Sequence, residues 1–371
     1  MKGRGLIIVI LSLLLTTCID PFDIGDVVDG QPKLVVDGLL TDQPKAHEVR
    51  ISYSSPTLNT FEREAVQGAE VFIEDENGNQ VQLLEDFERE GLYQTPSDFA
   101  GTVGVTYTLR VRTAENISYR SLPELMRPVA EIDSIYGKLE SRQSLSSIGV
   151  LLDDWGMQFY VSTGTGLPES NFYQWNWEET YQFTAPLARP MQLIQPICFL
   201  SGRQFNQLLI GSSQDFSRDR IEQQPLTFVS KRTYKLQQRY SLLVEQFSLS
   251  ERAFNFWNDV EEQRNIDGSL FDPPPSQIIG NIVRDDDPEE IALGYFQVSA
   301  VTQKRFFITR GEVPIDPGGP VGGFGSCIES PEPPPTGGSG DSPDGPATGP
   351  PEFCYNCTLI IGTTTERPSF W

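Results

Sequence analysis

Along most of the chain, apolar residues recur at every second position, in short runs. In HEVRISYS (47–54), Val49, Ile51 and Tyr53 alternate with Glu48, Arg50 and Ser52. AEVFIED (69–75) repeats the pattern with Val71 and Ile73, and GVTYTLRVRT (104–113) with Val105, Tyr107, Leu109 and Val111. Successive strand side chains leave opposite faces, so a period of two predicts half-buried strands. Leu34, Val35 and Val36 begin another, and VQLLED (81–86) and GLYQT (91–95) follow. ENGN (76–79) separates two such runs and predicts a hairpin, because Asn-Gly reaches the positive φ values of a type I′ turn. From 31 to 123 there are about seven short strands with regular turn signals, the layout of an immunoglobulin-like β-sandwich. The Cys…Trp…Cys core of antibody domains is missing from it.

LPELMRPVAEIDSI (122–135) carries two prolines and no clean period, and it is expected to connect this sandwich to a second unit. Strand-like runs then resume over 131–310, which predicts a larger β-rich sandwich domain. In FYQWNWEETYQF (172–183), Tyr173, Trp175 and Trp177 fall on one face and Phe172, Gln174 and Asn176 on the other. The expected use of these rings is a core, with an exposed ligand platform near Trp175 and Trp177 as the alternative. One amphipathic helix interrupts the strands, over 249–264. Ser248 with Glu251 reads as a capping box. Ala253, Phe256, Trp257 and Val260 share a face at helical spacing, and Asp267-Gly268 marks the end. Pro273 to Pro275 force extended chain. DDDPEE (285–290) lacks the spaced ligands of a calcium loop and reads as solvated. LGYFQVSAVTQKRFFI (293–308) returns to strand, with Tyr295, Gln297, Ser299 and Val301 opposing Phe296, Val298 and Ala300. Residues 311–351 are dominated by Gly and Pro and are expected to form a flexible insertion. A C-terminal segment, 352–371, closes the chain.

The start of the chain breaks the strand pattern and sets the compartment. Lys2 and Arg4 precede an apolar run, Leu6 to Leu15. About ten residues is too short to span a bilayer, which takes roughly 20, but suits an export signal. The run ends in Leu15-Thr16-Thr17-Cys18, which resembles a bacterial lipobox. Thr17 departs from the Gly, Ala or Ser usual before the cysteine, yet is small. Residues 1–17 are therefore expected to be a lipoprotein signal peptide, Cys18 the site of lipidation (a diacylglyceryl group and palmitate-type acyl chains), and 18–30 a tether. The alternative is a plain secreted protein with Cys18 in a disulfide.

Composition narrows the partners. Asp and Glu number 51 against 28 Lys and Arg, a net charge of −23. Such a body repels phosphate backbones, so nucleic acid is not an expected partner. With Cys18 acylated, Cys198, Cys327, Cys354 and Cys357 remain, an even number in an oxidising compartment. Proximity favours Cys354 with Cys357 and Cys198 with Cys327. Zinc on Cys354-x-x-Cys357 is the alternative, without a second CxxC or a histidine cluster to support it. The chain has a single histidine, His47, on the polar side of its strand, and no GxSxG elbow. STGTG (162–166) lacks the Lys-Ser/Thr of a phosphate loop. A carboxylate pair of glycosidase type is not singled out. No enzyme, metal site or cofactor is expected. The closing aromatic residue comes without the series of alternating strands that a membrane barrel needs.

Several blocks then carry a resemblance: VVDGLLTDQP (35–44), GAEVFIEDENGN (68–79), YSLLVEQFSLSERAFNFWNDVEEQ (240–263), LFDPPPSQIIGNI (270–282) and GYFQVSAVTQKRFFI (294–308). With the lipobox they resemble an uncharacterised Bacteroidota outer-membrane lipoprotein family, a domain of unknown function. The helix-to-IIGNI block is the most specific part. The resemblance implies a lipid-anchored outer-membrane protein facing outwards, whose gene commonly neighbours a TonB-dependent receptor. It implies an accessory role on that β-barrel in nutrient capture or gating, and it transfers no catalytic residue. A structural or assembly role in the envelope is the second expectation, and a surface glycan hydrolase the third.

Overall fold

A computed structural model describes residues 32–54, 63–145, 151–165, 170–187, 196–203, 207–214, 220–265, 278–290, 292–314, 327 and 351–371. The expected signal peptide, Cys18 and its tether, the Pro273–Pro275 run and most of the Gly/Pro-rich insertion lie outside them. The chain is mostly β, with one α-helix and several sheets arranged as sandwiches among the described residues.

The N-terminal unit contains β1 (Leu34–Thr41), β2 (Glu48–Tyr53), β3 (Glu64–Ala65), β4 (Glu70–Asp75), β5 (Gln80–Glu85), β6 (Leu92–Gln94), β7 (Thr106–Arg112), β8 (Ser118–Ser121) and β9 (Glu124–Leu125). They form a ribbon in the order β8-β7-β4-β5-β6-β2-β1 that doubles over on one apolar core. The alternation puts residues where the period predicts: Val49 and Ile51 are buried, Glu48 and Arg50 exposed. Val71, Ile73, Leu109 and Val111 meet them across the core. The ENGN hairpin forms between β4 and β5, with a different turn from the type I′ expected. Asp75 and Asn79 close a three-residue loop through Asp75 N–H to Asn79 C=O (3.0 Å), and only Gly78 has positive φ, at 82°. Asp75 Oδ1 accepts from the N–H groups of Asn77 and Asn79 (2.9 Å each), which holds Asn77 out of the left-handed region.

Two strands from far along the chain complete this unit. β17 (Ile282–Arg284) adds antiparallel to β8, and β18 (Leu293–Ser299) adds parallel to β1. Residues 282–299 therefore pair with the strands of the N-terminal sheet although they lie far beyond them in the chain. The IIGNI block explains how the closure is made. Ile282 enters the core beside Phe296 and Val298. Asn281 bonds both backbone groups of Phe296, donating to its C=O and accepting from its N–H (2.9 Å each). A Cβ on Gly280 would lie 1.6 Å from Gly294 O, so only glycine permits the approach.

The second unit stacks two sheets. β10 (Ile132–Leu145), β11 (Leu151–Thr163) and β15 (Gln224–Ser230) form a three-stranded sheet. It covers one face of β12 (Phe172–Phe183), β16 (Arg239–Leu249) and β19 (Val301–Thr309), with β13 (Cys198–Arg203), β14 (Ile210–Ser212) and β20 (Thr363–Thr364) along the far edge. Trp175 is fully buried and Trp177 3% exposed, against Phe159, Tyr240, Leu242 and Val244. The rings make a sandwich core, and the exposed platform expected as an alternative is overturned by that burial. Ala300 is the pivot between units. It ends β18 in the N-terminal sheet, and β19 begins in the other. Its N–H donates to Ser248 Oγ, and its C=O accepts from Ser248 N–H (3.0 Å each).

That bond gives Ser248 a different role from the capping box. The helix α1 (Glu251–Arg264) is capped by Ser250, whose hydroxyl accepts from Ala253 N–H at 3.1 Å. Ser248 is still in β16, two residues too early. The helix ends with Asn265 as its C-cap, ahead of the expected Asp267-Gly268, which lies outside the described residues. Ala253, Phe254, Phe256 and Trp257 dock on Phe172 and Leu249, on the outer face of the β12/β16 sheet, and on Tyr295 of β18.

The disulfides correct the expected pairing. Cys198 bonds Cys357, and Cys327 bonds Cys354. Cys354 and Cys357 lie at the ends of two successive 3-10 turns, and β20 runs antiparallel to β13, which carries Cys357 to the start of that strand. Short sequence separation thus gave way to strand addition. With both residues oxidised to other partners, the CxxC pair offers zinc no thiolates. Trp371 then packs edge-on against Phe199 and Phe307, under the Arg239 guanidinium.

Candidate functional site

β12 has a defect in its edge. β13 pairs with it along Glu178–Phe183 and β14 along Phe172–Gln174. Between these two pairings, among the described residues, Leu209 meets the edge, its C=O accepting from Trp175 N–H at 2.9 Å. At this interruption a cleft of about 310 Å³ lies between α1 and the outer face of the sheet. Gln174, Asn176 and Glu245 project from that face, as their even or outward register requires, and Trp257, Val260 and Arg264 come from the helix at i, i+3 and i+7. A second cavity of about 200 Å³ shares Trp177, Gln207, Leu208 and Arg264 with the first.

The polar groups here are only partly engaged. Trp257 Nε1 donates to Gln297 Oε1 (2.7 Å), whose amide nitrogen donates to Gln174 Oε1 (3.1 Å), so the helix is pinned to β12 and β18. Glu245 accepts from Gln303 (2.7 Å), and Arg203 donates to Glu178 (3.2 Å). The side-chain amides of Asn176 and Gln207 make no hydrogen bond among the described residues. Trp177 belongs to the sandwich core and also lines both cavities. Its indole Nε1 is buried without an acceptor among the described residues. Buried donors are almost always paired, so this one stands out.

The other titratable clusters are structural. Glu124 is buried beneath the N-terminus of α1 and accepts from Tyr295 Oη (2.7 Å) and Arg252 (3.1 Å). Burial, and then the Glu124 charge, hold the Tyr295 hydroxyl well above its ordinary value. Glu179 accepts from Tyr240 Oη at 2.9 Å and pairs with Lys235 at the end of the second core. His47 is buried, not on a polar face. It precedes β2, where Thr41 N–H donates to Nδ1 (3.4 Å) and Nε2 lies 3.1 Å from Phe99 O. Desolvation, with the nearby Lys45 charge, lowers its pKa to about 4. It is therefore a neutral tie between turns at ordinary pH. The 285–290 loop is exposed over Asp285–Glu289, as expected, with Asp286 and Glu290 paired to Arg284. Among the described residues no group of three metal-binding side chains occurs. No helix there is long and apolar enough to cross a membrane.

Neither the cleft nor its lining was visible in the sequence. Its signal lies in the polar positions of β12, Gln174 and Asn176, which sit on a strand whose both faces are covered elsewhere. The comparison with solved structures finds similarity to a DUF4785 family protein from Legionella pneumophila, at 12% identity and a TM-score of 0.20. The similarity covers 58% of this chain and 52% of that one, so the chain spans about half the length of that relative. No curated protein matches. One family profile matches residues 19–305.

Proposed function

The chain belongs to the family described as Domain of unknown function (DUF4249), and from that premise we propose a lipid-anchored outer-membrane protein that serves a TonB-dependent transporter. The observation that carries this reading is the N-terminal pattern, a basic start and a short apolar run ending at Cys18. Acylation there would hang the acidic β body on the outer membrane, facing the medium, since two or more chains anchor stably where one does not. Three features support a binding task. The body is built from β-sandwiches, the first completed by strands from beyond residue 280, it carries an open cleft beside α1, and its single histidine is tied up as a neutral structural group. Captured cargo would be held at the cleft and passed to the barrel. The receptor would be a β-barrel of the TonB-dependent class, and the accessory task capture or gating.

The test is recovery of the partner. A tagged full-length chain, extracted from the outer membrane in mild detergent, is expected to bring down a TonB-dependent β-barrel. Mass spectrometry of the mature N-terminus is expected to show acylated Cys18. Recovery of the acylated chain without any barrel would overturn the accessory role. An unmodified Cys18 would overturn the anchor.

A further inference from the structure

We infer that the cleft beside α1 binds a neutral saccharide, with the Trp257 ring as its wall and Asn176, Gln174 and Gln207 as its hydrogen-bonding groups. The inference deepens the binding role proposed above by naming the class of ligand.

Charge is the first argument. The two cavities together are lined by two arginines, Arg203 and Arg264, and two glutamates, Glu245 and Glu261. In a chain of net charge −23 the cleft is thus balanced, which favours neither anion nor cation. Hydrogen-bonding chemistry is the second. Side-chain amides carry both donors and acceptors, as a hydroxyl does, and Asn176 and Gln207 keep theirs uncommitted among the described residues. Shape is the third. An aromatic wall facing amides suits a flat ring with C–H bonds on its faces and hydroxyls around its rim. The volume, about 310 Å³ with an adjoining 200 Å³, matches the lower end of small-ligand sites and an elongated occupant.

The buried Trp177 Nε1 is the fourth. Trp177 lines both cavities, and its donor has no acceptor among the described residues, one that a ligand hydroxyl reaching it would supply. A peptide is disfavoured by the strand geometry. The interruption in the β12 edge spans only Asn176 and Trp177, flanked by pairing at Glu178 and by the Trp175–Leu209 bond. That leaves no room for the run of main-chain bonds by which peptides add to sheets.

The experiment is a fluorescence and calorimetric titration of the full-length protein, in a detergent without a sugar headgroup. The probes are neutral di- to tetrasaccharides of glucose, xylose, mannose and galactose, with tetra-alanine and a glucuronic acid disaccharide as controls. Saturable binding of at least one neutral saccharide is expected, and of neither control. Trp257→Ala is expected to weaken binding at least tenfold, and Asn176→Ala roughly three- to tenfold. Trp177→Phe deletes the N–H together with part of the buried ring; it is expected to weaken binding several-fold and to lower the melting temperature modestly, whereas Trp175→Phe, a truncation in the same core away from the cleft, is expected to lower the melting temperature without weakening binding. If Trp257→Ala fails to fold by circular dichroism, Asn176→Ala and Trp177→Phe decide. No binding by any neutral saccharide, binding of a control alone, or binding unaffected by Asn176→Ala and Trp177→Phe would each overturn the inference. Failure to recover a barrel in the pull-down would leave it standing, because this titration needs no receptor.

Discussion

The two sandwiches solve the same problem in different ways. The N-terminal core is mainly aliphatic, with Leu34, Val36, Ile51, Val71, Ile73 and Leu109 at its centre, and it is closed by strands that return from beyond residue 280. The second core is built on Tyr173, Trp175, Trp177, Tyr240 and Phe159, and its outer edge is fastened by covalent bonds. Aliphatic side chains bury less area each, and the N-terminal sheet gathers eleven strands over its core among the described residues. Large rings bury more area each, so three strands can cover one face of the larger sheet. The difference predicts that the units answer to different levers, one to acid and one to reductant, coupled through the Ala300 pivot.

The largest effect tests the aromatic core. Trp175→Ala removes a fully buried ring and the hydrogen bond its Nε1 donates to Gln246 Oε1 (2.9 Å). It is expected to cost about 3–5 kcal/mol in chemical denaturation, against about 2–3 kcal/mol for Val71→Ala in the aliphatic core. Equal losses would break the contrast.

Next comes the covalent edge. Cys198→Ser with Cys357→Ser opens a link between residues 159 apart in sequence and is expected to cost about 2–5 kcal/mol. Opening Cys327–Cys354, with a separation of 27, should cost less. Hydrogen exchange should report the loss in β12, β13 and β20, with little change at β4 and β7. A loss spread evenly over both units would show that they unfold as one.

The smallest effect sharpens the N-terminal side. The pKa of His47 falls to about 4 on folding, from an ordinary value near 6.5, because burial disfavours its charge. Between those values the unfolded chain binds the proton and the folded one does not, so stability falls as pH drops from about 6.5 to 4. The cost reaches on the order of 2 kcal/mol at the bottom of that window. Melting temperatures over this range should fall less steeply in His47→Gln, and an unchanged slope would remove His47 as the acid lever.

How much of this was legible follows from the range of each interaction. The strands of 34–112 are plain in the sequence, because alternation along a strand is set locally by which face meets the core. So was α1, since Ala253, Phe256, Trp257 and Val260 share a stripe at helical spacing; its cap was misplaced by two residues because Ser248 and Ser250 are both good caps and only the strand end selects between them. The partner of each cysteine was not legible, nor the burial of His47, nor the return of 281–299 to the first sheet. The cleft was least legible of all, since it exists only where β13 and β14 fail to meet along β12.

Composition and pattern by themselves determined an acidic, mostly β chain with strand-rich regions and one docking helix. Those features depend on side-chain period, net charge and short motifs, which act over a few residues or add up without regard to position. Only the tertiary structure decided that Cys198 meets Cys357, that β18 lies beside β1, and that Asn176, Gln207 and Trp257 share a cleft. Each joins residues far apart in sequence, and loop-closure entropy varies too slowly with separation to select one long-range pairing over another. Packing of whole sheets makes that selection.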